Sequence, residues 1–174
     1  MKELIATIAS LLMVPALARA QDAEHPYRGQ GYVVYGFGTG LPIRGISTAR
    51  IDQFSAGGEG FLLKGWGFGA EVGYASWRGY GNTAWVASGV CSYHFGRQAR
   101  RGRLDPFVLG GISFVGPTAA GGGRGSPAGN FGGGASFWIA DHAGLRFEFR
   151  DVAGATQFWP YPQYLSWRVG MTFR

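Results

Sequence analysis

Ten residues near the middle of the chain, Trp66 to Ala75, decide most of what it can fold into. Trp66, Phe68, Ala70, Val72 and Tyr74 alternate there with Gly67, Gly69, Glu71, Gly73 and Ala75. Successive side chains of a β-strand point to opposite faces, so this spacing predicts a strand with one hydrocarbon face and one small or charged face. A helix would scatter both sets around its axis.

The same period of two runs through the rest of the chain. Gly31–Gly38 sends Val33, Tyr35 and Phe37 one way. Ile51–Phe61 sets Phe54 and Ala56 against Gln53, Ser55 and Glu59. Thr83–Phe95 sets Trp85, Ala87, Cys91, Tyr93 and Phe95 against Ser88, Ser92 and His94. Asn130–Ile139 opposes Phe131, Ala135, Phe137 and Ile139 to Gly132, Gly134 and Ser136. The seventh strand alternates Leu145, Phe147 and Phe149 with Arg146, Glu148 and Arg150. The eighth alternates Leu165, Trp167, Val169, Met171 and Phe173 with Ser166, Arg168, Gly170 and Thr172. Pro106–Val115 is apolar on both faces and cannot be oriented from its residues. With Trp66–Ala75 the strands number eight, and each approximates the ten or so residues that a tilted membrane strand needs.

The predicted fold is therefore all-β, an eight-stranded antiparallel up-and-down transmembrane β-barrel with its apolar face outward. A water-soluble barrel would turn the apolar face inward and cover the other with polar groups. Here the opposite face is mostly Gly, Ala and Ser. Exposing so many aromatic rings to water would far exceed the apolar patch of about 400 Å² that a soluble surface tolerates. Composition agrees: charged residues make up 15% and aromatics 16%, with 32 glycines, against about 25% charged in ordinary soluble domains.

The links set the orientation. Leu62–Gly65, Ala140–Ala143 and the basic Gly96–Arg103 alternate with generally longer links at Thr39–Arg50, Gly116–Gly129 and Asp151–Gln163, while Ser76–Asn82 is short but falls in the second set. Short turns face the periplasm and longer loops face outward, which places both ends of the barrel chain at the periplasmic side.

Residues 1–20 read as an export signal: Lys2, the apolar Leu4 to Leu17 and then Ala18-Arg19-Ala20. The apolar stretch falls short of the roughly 20 residues of a membrane-spanning helix and contains Pro15. Residues 21–174 then form one barrel domain, expected in the bacterial outer membrane as a monomer. Its net charge is +5, the chain's +6 less the +1 of Lys2, Glu3 and Arg19. The single cysteine, Cys91, forms no internal disulfide and reads as a small apolar strand residue.

Asn130-Phe131-Gly132-Gly133-Gly134, followed by Asp141-His142-Ala143-Gly144-Leu145-Arg146-Phe147-Glu148-Phe149-Arg150-Asp151, resembles the sixth and seventh strands of the eight-stranded OmpA-like outer-membrane barrel family. The final strand is similar to the aromatic-ended assembly signal of such barrels, with Phe173 one place before the terminal Arg174. The resemblance implies insertion by the barrel-assembly machinery through that strand, and contact with outer-membrane lipids and lipopolysaccharide.

Glu71, Arg146, Glu148, Arg150 and Arg168 all fall on the inward phase, where unpaired charge is costly, so they are expected to pair into a network that fills the lumen. Tyr35, Phe37, Trp66, Tyr74, Trp77, Trp85, Tyr93 and Phe95 lie near strand ends and read as interfacial girdles. The external segment carrying Phe158, Trp159 and Tyr161 either extends the girdle, which is the expectation, or contacts a partner. Arg97, Arg100, Arg101 and Arg103 cluster in one turn, where a solvated turn is expected ahead of contact with anionic head groups.

No catalytic, cofactor or metal residue is expected. His25, His94 and His142 share no ligand spacing and fall at the periplasmic end, away from an outer-leaflet substrate. Gly121–Gly125 lacks the Gly-Lys-Ser/Thr of a phosphate loop, and Gly65–Ala70 leads into a strand rather than a dinucleotide fold. Nucleic acid is not an expected partner. The function expected is that of a non-enzymatic outer-membrane barrel with a side-chain-filled lumen, structural or binding surface ligands through external loops. A narrow porin-like channel and a lipid-modifying enzyme are the alternatives.

Overall fold

The structure, a computed structural model, describes residues 29–41, 48–63, 65–78, 82–95, 103–118, 125–154 and 163–174. Eight strands follow one another: β1 (Gly29–Leu41), β2 (Ala49–Leu63), β3 (Trp66–Trp77), β4 (Asn82–His94), β5 (Leu104–Pro117), β6 (Ser126–Trp138), β7 (Ala143–Ala153) and β8 (Gln163–Phe173). Each pairs antiparallel with its neighbours in sequence, and β1 pairs with β8 to close the barrel. The closing seam sets Gly31 opposite Phe173 and Leu41 opposite Gln163.

The wall is inverted relative to a water-soluble protein. Phe54, Phe68, Phe131, Phe147 and Trp167 are exposed on the outside, while Arg146, Arg150, Arg168 and His94 are among the most buried side chains. Alternation along each ladder produces this directly. In β7, Arg146, Glu148 and Arg150 turn inward between Leu145, Phe147 and Phe149.

Several strands run further than their sequence pattern predicts. β2 extends to Ala49 and Leu63, and β5 and β6 reach Pro117 and Ser126, so parts of the predicted links Thr39–Arg50 and Gly116–Gly129 are strand instead. Ile139, predicted as strand, lies in the turn that follows β6. Three prolines within these strands explain why the pattern understates them, and Pro117 pairs with Ala84 on β4, beyond the last β5–β6 pair of Val115 with Ser126. Pro127 pairs with Phe114 on β5, beyond the last β6–β7 pair of Gly129 with Ala153. Pro106 pairs with Ala135 on β6, just outside the β4–β5 register that ends at Phe107. A proline is tolerated where a strand has only one neighbour to donate to.

β5 takes the orientation its residues left open: Phe107, Leu109, Ser113 and Val115 turn inward, and Val108, Ile112 and Phe114 outward. Trp77 corrects the girdle assignment. β3 continues through Ser76 to Trp77, so Trp77 falls on the inward phase and is 2% exposed. The tight turn between β2 and β3 depends on Gly65, whose φ of 77° favours glycine and where a Cβ would press on the ring of Tyr93 at 2.9 Å.

Candidate functional site: the filled lumen

The interior holds three layers. At the short-turn end, His94 on β4 lies between two carboxylates: Nδ1 is 2.8 Å from Asp105 Oδ2 and Nε2 is 3.2 Å from Glu59 Oε2. Phe107 stacks on the imidazole at 5.2 Å between centroids, and Phe61 meets it edge-on at 5.0 Å. Gln30 Nε2 donates to Glu59 Oε1 at 2.6 Å, and the Ser92 hydroxyl donates to Glu59 Oε2. Where both carboxylates are ionised they only accept, and both ring nitrogens then donate, which makes His94 the imidazolium.

Arg146 joins this layer to the next. Its Nη1 is 3.4 Å from Glu59 Oε1 and its Nη2 is 2.9 Å from Glu148 Oε2. The guanidinium also lies 4.3 Å from the Tyr32 ring centroid and 4.0 Å from that of Phe107, so π-faces cover what the carboxylates do not.

The middle layer centres on Glu148, which meets Arg150 Nη2 at 2.6 Å and Arg168 Nη1 at 2.8 Å. Glu71 lies 2.7 Å from Arg168 Nη2 and 3.5 Å from Arg150 Nη1, and accepts from the Tyr32 hydroxyl at 3.1 Å. Arg150 meets its partners off the hydrogen-bonding direction, so its hold is coulombic more than directional. Gly36 on β1 leaves the room Arg168 needs, since a Cβ there would stand 3.1 Å from Arg168 Cγ.

These contacts make one chain of charge, from Asp105 through His94, Glu59, Arg146 and Glu148 to Arg150, Arg168 and Glu71. It ties β2, β3, β4, β5, β7 and β8 together. Its four carboxylates balance three guanidiniums and the imidazolium, so the buried set is neutral as a whole. Neutrality and mutual pairing are what make such burial bearable.

The layer towards the 42–48 and 118–125 links is apolar. Ile51, Trp77, Val86, Val115, Val152 and Tyr164 pack there with several alanines. Trp77 and Tyr164 meet edge-to-face at 6.4 Å. The Tyr164 hydroxyl is buried and has no hydrogen-bond partner among the described residues.

All five residues predicted for a lumen network thus lie buried and in contact within one cluster. Glu59, His94 and Asp105 complete it. The inward phase of β2 and β4 had marked the first two, but Asp105 stands just before Pro106 in the strand whose faces could not be told apart. Phe158, Trp159 and Tyr161, together with residues 1–20, His25, Arg97, Arg100, Arg101 and Gly121 to Arg124, lie outside the described residues. Among the described residues, no group of His, Cys, Asp and Glu is placed to hold a metal ion.

An antiparallel eight-stranded barrel with a polar, filled interior and an apolar exterior defines a class of protein best known from bacterial outer membranes. The chain is similar to neisserial surface protein A, with a TM-score of 0.61 and 12% identity over 83% of this chain and 96% of that one. It is also similar to the N-terminal β-barrel domain of Pseudomonas aeruginosa OprF, with a TM-score of 0.54 and 13% identity over 83% and 96% of the two chains. A third likeness is to the outer membrane enzyme PagL, with a TM-score of 0.52 and 14% identity over 81% and 99%. At these identities the likeness shows the fold. No protein-family model and no curated protein matches the sequence.

Proposed function

We propose that the chain is an integral protein of a bacterial outer membrane, exported with residues 1–20 as a cleaved signal, whose barrel is a closed wall rather than a conduit. Its work as a non-enzymatic structural or binding protein falls to the outward loops, including the segment of Phe158, Trp159 and Tyr161. Outer-membrane lipid, lipopolysaccharide and the barrel-assembly machinery are its partners. The observation that carries this reading is the pairing of an exposed aromatic and aliphatic exterior with an interior of ion-paired Arg and Glu. Only a hydrocarbon solvent makes that exterior favourable.

A conduit would need a hydrated path. Here the charges grip one another and the apolar layer lies across the far end of the lumen. An enzyme like PagL is the second reading, favoured by that structural likeness. A His-assisted nucleophile acting on an outer-leaflet lipid belongs at the long-loop rim. His94 is instead sealed at the opposite end, and His142 lies in the turn after β6, with Nδ1 donating to the Arg174 carbonyl at 3.1 Å.

Refolding into lipid vesicles and comparing gel mobility before and after boiling tests the architecture. A shift is expected, and an unshifted band refutes insertion. In planar bilayers no stable conductance is expected; single-channel steps that disappear in Glu148→Ala would establish a pore. Mass spectrometry of lipid A from cells with and without the protein should give identical masses, and a lost or added acyl group would establish the enzyme.

A further inference from the structure

The outer wall of β1–β4 carries a feature that membrane insertion alone does not require. Arg50 and Arg78 stand directly opposite each other on β2 and at the end of β3, joined by the bond from the Arg78 amide to the Arg50 carbonyl at 2.9 Å. Like charges facing each other across a ladder, about 5 Å apart at Cβ, destabilise it. Asp52 lies between them, with Oδ1 3.6 Å from Arg50 Nη2 and Oδ2 in contact with Arg78 Nε. Tyr35 donates its hydroxyl to Oδ1 at 2.6 Å. One carboxylate thus orients two guanidiniums and leaves an unmatched positive charge. Both arginine side chains remain open, at 58% and 60% exposed, against 14% for Asp52.

Two features beneath the pair fix its setting. Tyr35, Phe54, Tyr74 and Trp85 are cross-strand partners in one outward row immediately below Asp52. Aromatic rows of this kind lie at head-group level. Below them come Val33, Ala56, Val72 and Ala87, and then Gly31, Gly58, Ala70 and Gly89, again as cross-strand partners. A Cβ added at Gly89 would meet nothing within 4 Å. The opposite wall carries the bulkier Phe131, Phe147 and Trp167 outward.

We propose that Arg50 and Arg78 form a clamp for the phosphate of an outer-leaflet lipid head group, whose acyl chains lie along the shallow small-residue wall of β1–β4. The charge is complementary, since planar donor forks suit phosphate oxygens and the site holds one positive charge more than Asp52 neutralises. The inference rests on the membrane reading above, with the Arg50 end of the barrel at the outer surface.

The test uses the full chain in phosphatidylcholine nanodiscs doped with diphosphoryl lipid A, extracted into mild detergent, with retained lipid counted by native mass spectrometry. Wild type should keep diphosphoryl lipid A. The Arg50→Gln/Arg78→Gln variant should keep about tenfold less or lower, and each single variant an intermediate amount. Dephosphorylated lipid A should be kept no better by wild type than the phosphorylated form is by the double variant. Arg103→Gln, a basic residue at the other end of the barrel, should retain lipid as wild type does. Equal retention by the double variant, or an equal loss in Arg103→Gln, overturns the clamp. Displacement of the lipid by millimolar inorganic phosphate would make the site a free-anion site and overturn the lipid assignment. The boiling-dependent gel shift of each sample separates the two failures: no shift in wild type sinks the membrane reading and the clamp with it, whereas a shift with unchanged retention sinks the clamp alone.

Discussion

The two ends of the lumen solve the same problem by opposite means. Near the short turns, Asp105, His94, Glu59 and Arg146 fill the interior with charge and satisfy it by pairing. Near the longer links, Ile51, Trp77, Val115 and Tyr164 fill it with apolar side chains that exclude water by packing. The charged end tolerates no missing partner, because each group compensates another across the barrel. The apolar end tolerates loss in proportion to the volume removed. Charge therefore fixes which strands must meet, and the apolar layer isolates that charge from the outside.

The largest test of this contrast is Glu148→Ala. It strips a carboxylate shared by Arg146, Arg150 and Arg168, and breaking a buried ion pair from one side costs about 3–5 kcal/mol. Urea unfolding in vesicles should show a loss of that size; a loss below about 1 kcal/mol would mean water reaches the arginines. At the apolar end Ile51→Ala should cost about 2–4 kcal/mol by leaving a cavity, with no conductance, since the charged layer still closes the lumen. Conductance from this substitution alone would show that the apolar layer is the only seal.

His94→Gln should cost about 2 kcal/mol, because glutamine donates to one carboxylate and cannot replace the imidazolium between Glu59 and Asp105. An unchanged urea midpoint would remove the imidazolium from the charge balance. The smallest effect belongs to two tyrosines that differ only in partnership. Tyr32→Phe loses the bond to Glu71 and should cost about 1–2 kcal/mol. Tyr164→Phe removes a hydroxyl that is buried without a partner among the described residues and should be neutral within about 0.5 kcal/mol or stabilising. Equal losses at both positions would erase the distinction between the layers.

Much of this was legible along the chain, and what was not has a physical cause. Period-two alternation marks Glu71, Arg146, Glu148, Arg150 and Arg168 as inward because charge contrasts with the Phe and Val beside it. The apolar layer is silent by the same logic: an inward Ile51 or Val115 looks like any lipid-facing residue. Trp77 was placed on the wrong face because the strand was ended at Ala75; carried two residues further, the same alternation that buries Glu71 and Ala75 turns Trp77 inward. Asp105 was invisible as a partner of His94, since β5 carries hydrocarbon on both faces and only the closed barrel brings the two together.

Arg168 sits on β8, the strand that zips against β1, whereas Glu71 lies on β3 and Glu148 on β7. Until that last seam forms, the open sheet of eight strands has two raw edges, and although Glu148 already faces Arg168 across the β7–β8 ladder, Glu71 on β3 is not yet held against it. Completion thus delivers backbone partners and charge compensation in a single event. The final seam therefore stabilises the barrel by more than its own ladder of hydrogen bonds.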